Sequence, residues 1–284
     1  IKRIVCIMGV LAWTVVFTAA AHASEIEYSI LHRDIIVSGN ADKARDIINM
    51  ELVKEDVNPD SLTPDIINTS TDMAFKSIQS GADGVFYGKM ALGANFSCGK
   101  YVLYLNYAPN YEEKEIIVAD LTAIQTHIPG INSASDKELP LLILSAASAG
   151  WSGSVASEHI ETVAEWIGAH RPMAGYTAEG FVHEYMRAEA IARLKSAEIS
   201  TERLIESYAP YLELSYEEFA ALSPQIRSEA DNLLKSYDFG NDKLEALIEE
   251  AVLCARVKNA GSVEALKEII LEYYRDNSID MSTY

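Results

Sequence analysis

Cysteine is scarce: three in 284 residues, at positions 6, 98 and 254. Cys98 and Cys254 stand 156 positions apart, in halves of different pattern, which excludes the dense disulfide framework of a small secreted domain. Positive charge is scarce too. Against 42 Asp and Glu there are only 23 Lys and Arg, a formal net charge of −19. A nucleic-acid partner needs clustered Lys and Arg to neutralise phosphate, so that class of function is excluded. An anionic membrane surface is excluded for the same reason. No Gly-rich phosphate loop is present, because Gly81, Gly84 and Gly88 have the wrong spacing and fall at strand edges. What is present is enough apolar residue, 49% of the chain, to argue against disorder. The length suits about two domains of ordinary size.

The longest hydrophobic run is at the start. Lys2 and Arg3 precede an uncharged, largely apolar stretch from Ile4 to Ala21, which closes on Ala21-His22-Ala23. A basic n-region, an apolar h-region and an A-x-A site read as a signal peptide over 1–23, with Ser24 as the mature N-terminus. The competing reading is an uncleaved anchor, since 18 residues just reach across a bilayer. Cleavage is favoured by the small residues Ala19, Ala20, Ala21 and Ala23. The chain is therefore expected to be secreted or displayed at the cell surface, with no membrane insertion once the signal is removed. Its initial Ile, and its end within a repeat, suggest a piece of a longer surface protein.

From 24 to 119 the pattern has period two. Strands are predicted at 26–31, 33–38, 46–54, 73–79, 84–92, 99–107 and 114–119. Ile48, Met50 and Leu52 share one side of the third, and Asn49 and Glu51 the other. In the sixth, Tyr101, Leu103 and Leu105 oppose Val102, Tyr104 and Asn106. Such alternation marks half-buried antiparallel strands, and Asp83-Gly84 and Ser97-Cys98-Gly99 supply turns between them. Seven short strands at this spacing suggest a two-sheet Greek-key sandwich. The run Gly84-Val85-Phe86-Tyr87-Gly88-Lys89-Met90, followed by Ser97 to Leu105, resembles the closing strands of Ig-like modules in bacterial secreted and cell-surface proteins. The resemblance spans about residues 25–119 and implies a fold without implying a chemistry. The segment 56–72, with Pro59 and Pro64, is longer than such modules usually carry.

From Asp120 the period becomes 3.6, and residues 120–284 read as an all-α region. Leu121, Ile124, Ile128 and Ile131 open it, with Pro129-Gly130 expected to kink or end the first helix. An internal similarity recurs at about 63 residues. Leu194-Lys195-Ser196-Ala197 answers Val257-Lys258-Asn259-Ala260, and Ile131-Asn132-Ser133-Ala134 lies one unit earlier. Upstream, Phe181, Tyr185, Ala188 and Ile191 align with Leu244, Ile248, Ala251 and Cys254. Apolar or small residues at matched positions are what stacked helical units need, and Cys254 is expected in the core. Thr177, Ser200, Ser215 and Ser262 are expected to cap helices. This half resembles the helical units that follow Ig-like modules in exported proteins of Gram-positive type, a likeness that carries no defined activity. The expected fold class is thus α+β: an all-β Ig-like sandwich followed by an all-α helical repeat.

Catalytic and metal motifs were sought and each fails. His183-Glu184-Tyr185-Met186-Arg187 begins like a helical zinc-protease motif, but Arg187 stands where the second imidazole must be. It reads instead as a surface-facing His-Glu pair. Gly150-Trp151-Ser152-Gly153-Ser154 lacks the final Gly of a nucleophile elbow and follows a helix. Asp238-x-Gly240-x-Asp242 has a calcium-loop rhythm but Lys243 at the position that needs Gly; it reads as a turn capped by Asn241 or Asp242. Adjacent carboxylates, such as Glu112-Glu113, Glu217-Glu218 and Glu249-Glu250, read as solvated faces. No catalytic residue, metal site or cofactor is expected.

The candidate binding residues are aromatic. Tyr87 and Tyr104 project opposite Phe86 and Tyr101; the favoured reading is that one of each pair lies in the core and the other decorates the surface, and the alternative is that two exposed tyrosines on one sheet form a platform for a sugar polymer. Trp151 in a loop would stack on a sugar or pack on a neighbour. The expected function is a non-catalytic interaction or structural module, glycan-binding or adhesive, whose partner is a surface polysaccharide or a protein. The alternative is an exported enzyme acting on polysaccharide or cell wall, with acidic catalytic residues in the helical half. A third reading is a membrane-anchored sensing ectodomain.

Overall fold

The computed structural model describes residues 25–29, 31–41, 43–55, 57, 71–107, 110–152, 158–212, 219–237 and 243–276. The signal-peptide reading of 1–23, the bulk of the 56–72 segment, Ser215 and the Asp238–Asp242 turn lie outside the described residues. A β region is followed by a helical one, an α+β layout in two parts.

The strands are β1 (Glu25–Ser29), β2 (Asp34–Asn40), β3 (Ile47–Lys54), β4 (Met73–Gln79), β5 (Val85–Ala91), β6 (Gly99–Tyr107) and β7 (Asn110–Val118). They form two antiparallel sheets, β1-β2-β5 and β4-β3-β6-β7. The chain changes sheet three times, between β2 and β3, between β4 and β5, and between β5 and β6. Period two decides which side chains meet: Ile48, Met50 and Leu52 of β3 and Tyr101, Leu103 and Leu105 of β6 are fully buried, joined by Ile35, Val37, Phe86 and Met90 from the other sheet. Gly88 sits where a Cβ would run into Ile78 and Met50 across the core. β7 departs from the apolar rule, because its inward Lys114 and Glu112 are both buried and ion-paired at 3.0 Å. Glu112 is not the solvated carboxylate its sequence neighbourhood suggested. Only a close counter-ion makes such burial tolerable.

The helices are α1 (Leu121–Gln125), α2 (Ile128–Ser133), α3 (Leu139–Trp151), α4 (Ile160–Ala169), α5 (Ala178–Lys195), α6 (Thr201–Ser207), α7 (Pro224–Ser236), α8 (Leu244–Lys258) and α9 (Val263–Asp276), with a 3₁₀ turn at Ala209–Tyr211. Thr177, Ser200 and Ser262 cap as expected, their hydroxyls accepting from the amides of Gly180, Arg203 and Ala265. Pro129 starts a helix rather than ending one: it occupies the first turn of α2, where its missing N–H costs nothing. Lys243 precedes α8 with no side-chain cap. α5 is the hub, buried on nearly all sides, and Ala188, Ala190 and Ala192 let its neighbours approach closely.

α5 and α8 bury the same stripe of the proposed 63-residue register: Phe181, Tyr185, Ala188 and Ala192 in one, Leu244, Ile248, Ala251 and Ala255 in the other. The correspondence stops at the rest of the helix surface. Cys254 and Val257 are exposed on α8, whereas their counterparts Ile191 and Leu194 are buried. Cys254 is therefore not a core residue, because nothing among the described residues covers that side of α8 as α5 is covered.

The two regions meet along β7. Ile116 and Val118 point into the core between the sheets, and Ile117, between them, belongs to the helical core. β7 is an edge strand, whose outer backbone groups need partners. The Tyr211 hydroxyl accepts from Ile117 N at 3.1 Å, and the Tyr28 hydroxyl donates to Ile117 O at 2.9 Å. Ion pairs complete the seam: Lys100 with Glu189, Arg193 with Glu115 at 3.0 Å, and Arg203 with Glu113.

Candidate functional site

The three aromatic candidates do not come together. Tyr87, 65% exposed, lies on the outer face of the β1-β2-β5 sheet. Tyr104 lies on the outer face of the other sheet. The alternative of a platform made by those two rings on one sheet is absent, since β5 and β6 belong to different sheets; each instead stands opposite a buried ring, Phe86 or Tyr101, as the favoured reading has it. Trp151 is the last residue of α3 and only 1% exposed, its ring 4.9 Å from that of Tyr185. Trp151 follows Ile143 and Ala147 at four-residue intervals on the buried stripe of α3, so the helix itself carries the indole inward before Ser152 ends it in the left-handed conformation. Trp151 is a core residue and no part of a surface site.

Cross-strand register assembles a different aromatic face around Tyr104. Phe75 of β4 pairs with Glu51 of β3, which pairs with Tyr104 of β6, which pairs with Glu113 of β7. One row along, Ser77, Asn49, Asn106 and Tyr111 pair in the same way. Phe75 is 50% exposed and Tyr111 55%. The rings of Tyr104 and Tyr111 stack with centroids 6.0 Å apart. Phe75 and Tyr104 stand two strands apart, about 10 Å at the usual strand spacing. Three rings and a row of amides and a hydroxyl thus share one flat surface. Ser77 Oγ donates to Asn49 Oδ1 at 2.6 Å.

The charges on this face are mainly negative. Glu51 is exposed and makes no ion pair among the described residues, whereas Glu113 is paired with Arg203. Arg203 is also held by Glu206 at 3.1 Å. Lys54 and Lys76, by strand alternation, point to the other face of the sheet. Partial burial, then Glu113, Glu115 and Glu51, raise the Tyr104 hydroxyl above its ordinary value, with Arg203 opposing. Partial burial and then Glu113, to which it hydrogen-bonds, push Tyr111 up to about 12.

The helical carboxylates are largely committed elsewhere. Glu184 accepts from the Trp166 indole and neighbours Arg187, which reaches Glu245 at 3.0 Å. His183 is half-buried, edge-on to Tyr211, rather than surface-facing. Ser196, His159 and Glu198 are neighbours, but hydroxyl and carboxylate both approach the same nitrogen, Nε2, at 3.3 and 2.7 Å. A nucleophile–base–acid relay needs the two on opposite nitrogens. A cavity of about 290 Å³ between α6 and α7 is lined by Glu202, Asp231, Arg227 and Phe219. Glu202 is ion-paired with Arg227 there, and Asp231 with Lys235 at 2.7 Å. Among the described residues no three His, Cys, Asp or Glu are grouped to hold a metal, and no helix is long and apolar enough to cross a membrane.

No family model, curated protein or solved structure matches this chain.

Phe75, Tyr111 and Glu51 were not among the residues singled out from the sequence. The alternation of Phe75 and Glu51 within 73–79 and 46–54 is visible in the sequence, whereas Tyr111 falls outside the strand expected at 114–119 and belongs to one that starts at Asn110; the register that sets β4, β3, β6 and β7 side by side has no local signal.

Proposed function

We propose that the protein is a non-catalytic interaction module, exported to the cell surface or beyond, whose β region is an Ig-like sandwich that binds glycan. The strand orders β1-β2-β5 and β4-β3-β6-β7, with their three sheet changes, support the Ig-like reading. The observation that carries the function is the open row of Phe75, Tyr104 and Tyr111 on the outer face of the four-stranded sheet. A flat aromatic surface edged by Asn49, Ser77 and Asn106 offers ring faces to the C–H faces of sugars and hydrogen bonds to their hydroxyls. The helical region, in this reading a duplicated unit, buttresses β7 and leaves the opposite part of the sheet open.

The test is retention of residues 24–284 on a panel of insoluble polysaccharides and cell walls, with release of soluble sugar scored alongside. Retention without release, weakened about two- to tenfold in Phe75→Ala and in Tyr111→Ala, is the expected result, given that a stacked ring contributes about 0.5–1.5 kcal/mol beyond area burial. Sugar release would replace this reading with the enzyme. No retention on any polymer would remove the glycan from it.

A further inference from the structure

The aromatic face has an electrostatic property that the expectation of a generic sugar platform does not supply. Glu51 lies between Phe75 on one side and Tyr104 on the other, each a direct cross-strand neighbour. Directly opposed residues on one face of a sheet have Cβ atoms about 5 Å apart. The Glu51 carboxylate is exposed and makes no ion pair among the described residues, and the lysines beside it in sequence on β3 and β4 point to the opposite face. At the border toward the helices, Arg203 is already shared between Glu113 and Glu206, and Arg193 is paired with Glu115. What sets Glu51 apart from the chain's other exposed carboxylates is its place: it stands between two rings, Phe75 and Tyr104, with Tyr111 one row along.

We propose that this face selects a polysaccharide bearing protonated amines, a polymer of amino sugars with free amino groups, over neutral or anionic ones. The inference rests on the glycan reading above and names its ligand class. A protonated amine seated over Glu51 meets a carboxylate beneath it and the π-faces of Phe75 and Tyr104 at its sides, and each ring attracts a cation as well as an apolar surface. Asn49, Ser77 and Asn106, one row along, reach the neighbouring hydroxyls of the same chain. An anionic polymer meets Glu51, Glu113 and a chain of net charge −19. A neutral polymer stacks on the rings but leaves Glu51 unmatched.

The experiment is calorimetric titration of residues 24–284 with short β-linked glucosamine oligomers and with the same oligomers N-acetylated, at a pH below and a pH above the pKa of the free amine. Poly-lysine serves as the peptide control. The expected result is binding of the glucosamine oligomer about tenfold tighter than of its acetylated counterpart, a preference confined to the lower pH and reduced several-fold by added salt. Glu51→Gln removes most of that preference and leaves the acetylated oligomer bound as before, while Phe75→Ala weakens both. Both variants are exposed-surface changes whose melting temperatures are to be matched to the parent. Equal affinity for the two oligomers with Phe75 required would overturn the amine preference and keep the glycan reading. Preference surviving in Glu51→Gln would overturn the role of Glu51. Poly-lysine bound in place of either oligomer would overturn the sugar in favour of a basic protein partner. No binding to any oligomer would overturn both readings.

Discussion

The two outer sides of the β4-β3-β6-β7 sheet have the same origin and opposite fates. Toward β7, Ile117, Glu115 and Glu113 are met by the helical region and matched: Ile117 by two tyrosine hydroxyls, the carboxylates by Arg193 and Arg203. Toward β4 the same surface carries Phe75, Glu51 and Ile47 with no covering element among the described residues. The first half behaves as interior, where an unmatched group is expensive, and the second as a surface whose rings and unmatched carboxylate are tolerated because water reaches them. The contrast teaches that function is to be sought where the molecule declines to satisfy itself.

Variants can break that comparison. The largest effect belongs to the interior: Trp151→Ala removes a buried indole against Tyr185 and is expected to cost about 3–5 kcal/mol in denaturant unfolding, with any surviving fold binding ligand as before. Arg193→Ala strands Glu115 and the Tyr208 hydroxyl, to which Arg193 donates at 2.8 Å. Its expected cost is about 2–3 kcal/mol, because one partner of a half-buried charged network is left alone.

Tyr211→Phe is expected to cost about 1–2 kcal/mol by orphaning the Ile117 amide, and it also has a pH signature. Burial raises the hydroxyls of Tyr28 and Tyr211 above the ordinary value of 10.0. Their folded pKa exceeds the unfolded one, so the stability linked to them is fully present below pH 10.0 and is lost as pH rises above it toward the folded values. Chemical unfolding measured across that alkaline window should decline less steeply in Tyr211→Phe than in the parent. The smallest effect on stability belongs to the open side: Phe75→Ala and Glu51→Gln are expected within about 0.5 kcal/mol of the parent, while changing binding.

Much of the β region was legible in the sequence because period two is local. The strand ending at Gln79 and the one spanning Gly99–Tyr107 fall where alternation placed them, and Phe86 and Tyr101 are buried opposite Tyr87 and Tyr104 as read. Sheet membership was not legible, since it depends on contacts between distant strands, and this is why Tyr87 was set beside Tyr104. In the helices, the caps Thr177, Ser200 and Ser262 were readable from side chain and spacing. Trp151 lies in a Gly-flanked stretch that reads as a loop, whereas α3 runs through it and places it one turn past Ala147 on the buried stripe. Cys254 failed for a different reason: an apolar stripe tells which residues can be covered, not which side a neighbour will occupy.

The most direct test uses Tyr87 as an internal control. The chain is treated with a tyrosine-acylating reagent, with and without saturating glucosamine oligomer, and each modified tyrosine is quantified by mass spectrometry. Tyr104 and Tyr111 are predicted to be shielded by the oligomer while Tyr87, on the opposite sheet, reacts as before. Shielding of Tyr87, or unchanged reactivity of all three under conditions where binding is complete, would contradict the assignment of the ligand to the β4-β3-β6-β7 face.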